Sequence, residues 1–144
     1  MTSTHGGGSV GRIVADANVI LSAIIGKAAL RVFADSPVDV ATAEPILAEV
    51  REHLPALAVR RRIAPEALEG QLRLLPLRVY REESYRDRVP EATKRIGGRD
   101  PDDIGLLALA LHLDVPVWTN DDDFLNTGVA RFTTAELLRH LFGS

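Results

Sequence analysis

The chain has 144 residues, enough for one compact domain with a real core. Its hydrophobic content of 46% is ordinary for a globular protein, and no apolar run approaches the roughly 20 residues that span a bilayer. A formal net charge of -3 gives no global pull toward nucleic acid, and the absence of cysteine excludes disulfides and thiolate metal sites.

Residues 1–11 are small and polar, with Gly6-Gly7-Gly8 and no apolar h-region. A flexible tail is expected there rather than a signal peptide, leaving residues 12–144 as the folded domain. Arg12–Asp16 is the first expected strand. Helix signals follow at Val19–Ile25 and Leu30–Asp35, then a short strand at Val38–Ala41. Glu44–His53 reads as a helix with Pro45 in its first turn, where a missing N–H is harmless, and Pro55 is expected to end it. Pro65–Leu75 is another helix, and Leu77–Tyr80 a short strand after Pro76. Ser84–Arg95 reads as helical despite Pro90, with Gly97-Gly98 as its stop. The clearest helix is Pro101–His112. Asp100 is its N-cap, Pro101 its first residue, and Asp102 and Asp103 fill the first turn, where the helix dipole favours negative charge. Val115–Trp118 is mainly apolar, the mark of a strand buried on both faces. Phe132–Thr133 is a last short strand, and Thr134–Leu141 a closing helix capped by Thr133 or Thr134. The alternation predicts an α/β fold: a single domain with a central, mainly parallel sheet flanked by helices on both faces.

Four acidic residues stand out against this frame. Asp16 closes the first strand, Asp121 follows the strand ending at Trp118, Asp103 heads an apolar helix, and Glu49 sits inside Ile46-Leu47-Ala48-Glu49-Val50. Carboxylates beside core-forming segments are costly to desolvate unless something neutralises them. A divalent cation is the simplest neutraliser, and oxygen-only ligands suit Mg²⁺ or Mn²⁺. Ligands of open α/β sheets bind outside the carboxyl ends of the strands, where Asp16 and Asp121 fall. Asp103 would join them from a helix N-terminus, and Glu49 from a helix packed across the same edge. Capping and dipole complementation explain Asp100 and Asp102 well and Asp103 less well. The four histidines show no metal-ligand spacing. Trp118 reads as sheet packing, and Leu137, Leu138 and Leu141 as core or as a homodimer face.

Asp16-Ala17-Asn18-Val19-Ile20, the segment around Glu49, Arg99-Asp100-Pro101-Asp102-Asp103 leading into Leu106–Ala110, and Trp118-Thr119-Asn120-Asp121-Asp122-Asp123-Phe124 occur in that order. Together they resemble the PIN-domain family, from about Arg12 to Leu141, and within it the VapC-like toxin ribonucleases of toxin–antitoxin systems. The resemblance implies a Mg²⁺- or Mn²⁺-dependent endoribonuclease with RNA as substrate. An antitoxin protein is the kind of partner to expect, but its identity and the target RNA do not carry over. The lack of cysteine is compatible with a cytoplasmic home. It implies Asp16, Glu49, Asp103 and Asp121 as the catalytic, metal-holding quartet. Asn18 would orient Asp16 or a metal-bound water, Thr119 would supply a supporting hydroxyl, and Asp123 an additional acid.

The chemistry agrees with that implication. Phosphodiester cleavage needs a nucleophile, charge neutralisation at phosphorus and a stabilised leaving group, which carboxylate-held ions supply without a covalent protein nucleophile. Arg60-Arg61-Arg62 reads as a solvated helix end or as a contact to the RNA backbone. Two rival functions compete. A phosphohydrolase of haloacid-dehalogenase type, with Asp16 as nucleophile, wants an Asp where Asn18 stands and a positioned lysine, and only Lys27 and Lys94 exist. A module that binds metal, RNA or an inhibitory partner without turnover is the second. An arginine inserted by such a partner would suit the acidic site, because guanidinium pairs bidentately with carboxylate.

Overall fold

The computed structural model of the chain describes residues 10–97 and 100–143. Most of the expected tail therefore lies outside the described residues, as do Gly98, Arg99 and Ser144. Val10 packs half-buried against the core, and the Gly11 carbonyl accepts a hydrogen bond from the Asp39 N–H at 3.0 Å. Contact with the sheet thus begins just before the first strand.

Five strands form one sheet: β1 (Arg12–Ala15), β2 (Asp39–Ala43), β3 (Leu77–Tyr80), β4 (Val117–Trp118) and β5 (Arg131–Phe132). Their order is β3-β2-β1-β4-β5, and every pairing is parallel. Ile13, Val14 and Ala15 are consecutive and all fully buried. Neighbouring strand residues face opposite sides, so both faces of β1 are covered. The chain lays β2 and β3 on one side of β1, then returns to place β4 and β5 on the other. Val14 pairs with Val117 and Ala15 with Trp118. The next residues, Asp16 and Thr119, therefore leave the sheet side by side at its topological switch point.

The helices are α1 (Ala17–Ile24), α2 (Ala29–Asp35), α3 (Glu44–Arg61), α4 (Pro65–Leu74), α5 (Glu82–Tyr85), α6 (Val89–Ile96), α7 (Pro101–Leu113) and α8 (Thr134–Phe142). The central helix α7 buries Leu106 to Ala110 without interruption, because it packs on β1, β2 and β4 and also against α5 and α6. Asp100 caps it by accepting from the Asp102 N–H at 2.9 Å, as the sequence predicts. Thr133 caps α8 in a capping box with Glu136. Leu137 is core, and Leu138 and Leu141 pack half-buried against that core.

The structure corrects several expected boundaries. The helix α3 does not stop before Pro55 but continues to Arg61. Ile46, Val50, Leu54, Leu57 and Ala58 keep one buried face across the proline, whose own side is exposed. A proline inside a helix costs about 3 kcal/mol. Burial of Leu57 and Ala58, at roughly 25 cal/mol per Å² of apolar surface, offsets much of that. The stretch expected as one helix from Ser84 to Arg95 is instead α5, a 3-10 turn at Arg86–Arg88, and α6. Pro90 falls in the first turn of α6, where its missing donor does no harm. The strand expected from Val115 pairs only over Val117–Trp118, since Pro116 has no N–H and contributes its carbonyl alone, to the Val14 N–H. Trp118 is fully buried, stacks at 5.7 Å on Phe33 and donates its indole N–H to Thr134 Oγ1 at 3.0 Å, so it is a packing residue. Among the described residues no single helix is long and apolar enough to cross a membrane.

Candidate active site

The carboxyl ends of β1 and β4 carry the densest acidic chemistry of the molecule. Asp16 is the N-cap of α1, and its Oδ1 accepts the Val19 N–H at 3.0 Å. Its backbone N–H still reaches the Trp118 carbonyl at 3.3 Å, which ties the cap to β4. The fully buried Thr119 donates its hydroxyl to Asp16 Oδ2 and accepts the Asp121 N–H at 3.0 Å. One hydroxyl thus joins the two acids at the switch point. Asp121 in turn caps a 3-10 turn, Asp122–Phe124, by accepting the Asp123 N–H at 3.1 Å. Burial pushes the Asp16 carboxyl above its ordinary range, and the nearby Asp121 adds to it, against the lowering pull of Thr119 and Val19. The bond from Asn18 to Asp16 runs through the Asn18 backbone N–H, while the side chain is exposed.

Asp103 reaches the same edge from the first turn of α7. Its carboxyl is pushed up to about 6, first by burial and then by Asp100, Asp123, Asp121 and Asp16. That set of repelling neighbours brings the first, third and fourth acids expected from the sequence, with Asp123, into one electrostatic group. Glu49 arrives from α3 and faces Asp102 instead. Burial, a side-chain hydrogen bond to Asp102 and the Asp102 charge push it up to about 7. A proton held between Glu49 and Asp102 accounts for the direction. The two groups share Asp100 as a neighbour.

The fit to a cation has two sides. All the donors are oxygen, and the raised pKa values of Asp16, Glu49 and Asp103 record burial first and then neighbouring carboxylates, both of which a hard divalent ion would offset. Among the described residues, however, no three His, Asp or Glu side chains form a ready ligand cluster. Mg²⁺ keeps several waters and is held by one or two carboxylates plus substrate phosphates, so the donor set fits such an ion without a closed cage.

Comparisons with known proteins bear on the family and the fold. The family model described as PIN domain matches residues 14–142. The chain belongs to the PIN-domain family. No curated protein matches it in sequence. Among solved structures, it is similar to VapBC2 from Rickettsia felis bound to a DNA fragment from their promoter, with a TM-score of 0.65 and 12% identity over 85% of this chain and 98% of the other. It is similar to a toxin–antitoxin complex from Klebsiella pneumoniae, with a TM-score of 0.60 and 16% identity over 82% and 94%. The Mycobacterium tuberculosis toxin VapC20, which cleaves the sarcin-ricin loop, gives a TM-score of 0.54 and 21% identity over 81% and 95%. At these identities the likeness is one of fold.

Within this PIN domain the structure adds residues that the sequence reading passed over. Arg131 of β5 is largely buried and donates to the Asp121 carbonyl at 3.0 Å and the Thr119 carbonyl at 3.5 Å. It also pairs with Asp122 at 3.4 Å. This guanidinium clamps the loop that presents Asp121. Asn120 Oδ1 accepts the Thr134 N–H at 2.8 Å and fixes the same loop to α8. Asp102, expected to serve the helix dipole, is the partner of Glu49. No local signal marks these roles, because each depends on an element distant in sequence.

Proposed function

We propose that the chain is a metal-dependent endoribonuclease that hydrolyses RNA phosphodiester bonds and acts as the toxin of a type II toxin–antitoxin pair. The observation that carries this reading is the Thr119 hydroxyl bridging Asp16 and the Asp121 loop, with Asp103 facing the same group. Membership of the PIN-domain family and the shared fold with toxin–antitoxin proteins support it. Asp16, Glu49, Asp103 and Asp121 would hold Mg²⁺ or Mn²⁺, with Asp123 beside them. A bound ion of this kind supplies charge neutralisation at the phosphate and a more acidic water.

The protein's own residues do the positioning. The Val19 N–H and Thr119 hydroxyl each engage one oxygen of Asp16, so the carboxylate is held in one orientation while a lone pair on each oxygen stays available. Arg131 and Asn120 hold the Asp121 loop against that carboxylate. Glu49 stands beside Asp102, and burial with that neighbour raises its proton affinity, which a bound cation would offset. Asn18 stands exposed at the start of α1, where its amide would meet water or substrate.

The test is cleavage of a labelled, mixed-sequence single-stranded RNA by purified protein with Mn²⁺ or Mg²⁺. Asp16→Asn, Asp103→Asn and an EDTA lane run alongside. Metal-dependent cutting that both substitutions abolish is the expected result. Cutting that survives both would place the activity elsewhere. The competing reading is a module that binds metal, RNA or an antitoxin without turnover. Tight RNA binding without cleavage in Mn²⁺ would select that alternative. An antitoxin that inserts an arginine among these carboxylates would satisfy either reading, and loss of inhibition on replacing that arginine is its test.

A further inference from the structure

A groove of about 320 Å³ lies between α1 and α3 and takes in Asn18, two residues past Asp16. Its polar lining is Asn18, Ser22, Lys27, His53, Arg60 and Arg61. Leu21, Ile25 and Leu57 form the apolar remainder. Every titratable side chain lining it is therefore basic. Many arginines of this protein are already occupied: Arg31, Arg51, Arg73, Arg81, Arg95 and Arg131 each meet a carboxylate. Among the described residues, Lys27, Arg60 and Arg61 have no such ion pair.

The two walls each run from the acidic site to the cations. On α3, Glu49 is followed one turn later by His53, whose Nδ1–H donates to the Glu49 carbonyl at 2.8 Å. Leu57 continues that line, and Arg60 and Arg61 occupy the last turn. At 1.5 Å per residue, Arg60 stands roughly 16 Å along the axis from Glu49. On the other wall Asp16 caps α1, Asn18 and Ser22 lie on successive turns, and Lys27 lies just beyond its end. Arg62 is separate: it takes a left-handed φ of 55° as the C-cap of α3 and does not line the groove.

We propose that this groove holds the sugar–phosphate backbone of single-stranded RNA as it leaves the acidic site, with Lys27, Arg60 and Arg61 on phosphates. The inference rests on the ribonuclease reading. A protein of net charge -3 with an acidic centre repels a polyanion, so productive approach requires a local cationic track. Guanidinium suits that task because its planar fork pairs bidentately with phosphate. The groove presents such groups unpaired and in line with the carboxylates.

The test is fluorescence anisotropy of a labelled single-stranded RNA across a KCl series, in EDTA to suppress cutting. Wild type is compared with a Lys27→Ala/Arg60→Ala/Arg61→Ala triple variant, whose three side chains are exposed and not needed for the core. Loss of three phosphate contacts should lower the slope of log affinity against log salt by about 2, with affinity down on the order of tenfold or more. An Arg86→Ala/Arg88→Ala control, exposed and outside the groove, should leave the slope unchanged. Wild type that cuts and binds RNA beside a triple variant of equal slope would overturn the groove alone. Equal losses in the control would overturn it too, since bulk charge would then suffice. Wild type that neither binds nor cuts RNA would overturn the ribonuclease reading and this inference together. A triple variant that keeps RNA but sheds a protein partner would assign the groove to that partner.

Discussion

Replacing Asp103 with Asn separates what the acidic site costs the fold from what it contributes to function. Burial, followed by Asp100, Asp123, Asp121 and Asp16, moves the Asp103 carboxyl from 3.8 to about 6. In the unfolded chain the group returns to its ordinary value, so between those limits the native state binds the proton more tightly. The destabilisation is absent below 3.8, accumulates up to about 6 and is complete above it. At 1.36 kcal/mol per pKa unit the full difference is roughly 3 kcal/mol. The side chain is only half-buried and solvent screens it, so about 1 kcal/mol is the working figure. The neutral amide has nearly the same shape and carries none of it. In EDTA at neutral pH, Asp103→Asn should therefore melt about 4 °C higher than wild type. The gain should shrink as the pH falls toward 3.8. Mn²⁺ should reverse the ranking. An ion that binds the native state adds about 2.7 kcal/mol at a hundredfold excess over Kd, and the variant lacks one ligand. Scanning calorimetry with and without metal, across this pH range, reads all three effects. A variant less stable than wild type in EDTA at neutral pH, or a difference that ignores pH, would refute the electrostatic argument.

Thr119→Val removes one hydroxyl while keeping shape. It leaves the Asp121 N–H without its acceptor and Asp16 Oδ2 without its hydroxyl donor, while the Val19 N–H stays on Oδ1, so a loss of about 1–3 kcal/mol in stability is expected from denaturant unfolding. Since Thr119 lowers the Asp16 pKa, carbon-detected NMR titration should place that carboxyl higher in the variant; an unchanged titration would show the bridge to be unimportant. Asp102→Asn should lower the Glu49 pKa from about 7 while leaving it above 4.5, since burial, the largest cause, persists when the Asp102 bond and charge are removed. A Glu49 titration that stays near neutrality would mean burial alone sets its proton affinity.

The elements and the acids differ in how far sequence alone determines them. Helix and strand periods, the Asp100-Pro101 start of α7 and the placement of Asp16 and Asp121 at strand ends are local properties, readable along the chain. The parallel α/β architecture follows from their alternation. Tertiary structure alone decided that α3 runs through Pro55, because burial of Leu57 and Ala58 is a long-range gain that a local breaker signal omits. It alone decided that Glu49 meets Asp102 while Asp103 joins Asp16 and Asp121, since helix rotation selects between adjacent carboxylates. The clamp by Arg131 and the alignment of Lys27 with Arg60 and Arg61 belong to the same class. Each requires side chains from segments that only the folded sheet and its packed helices bring together.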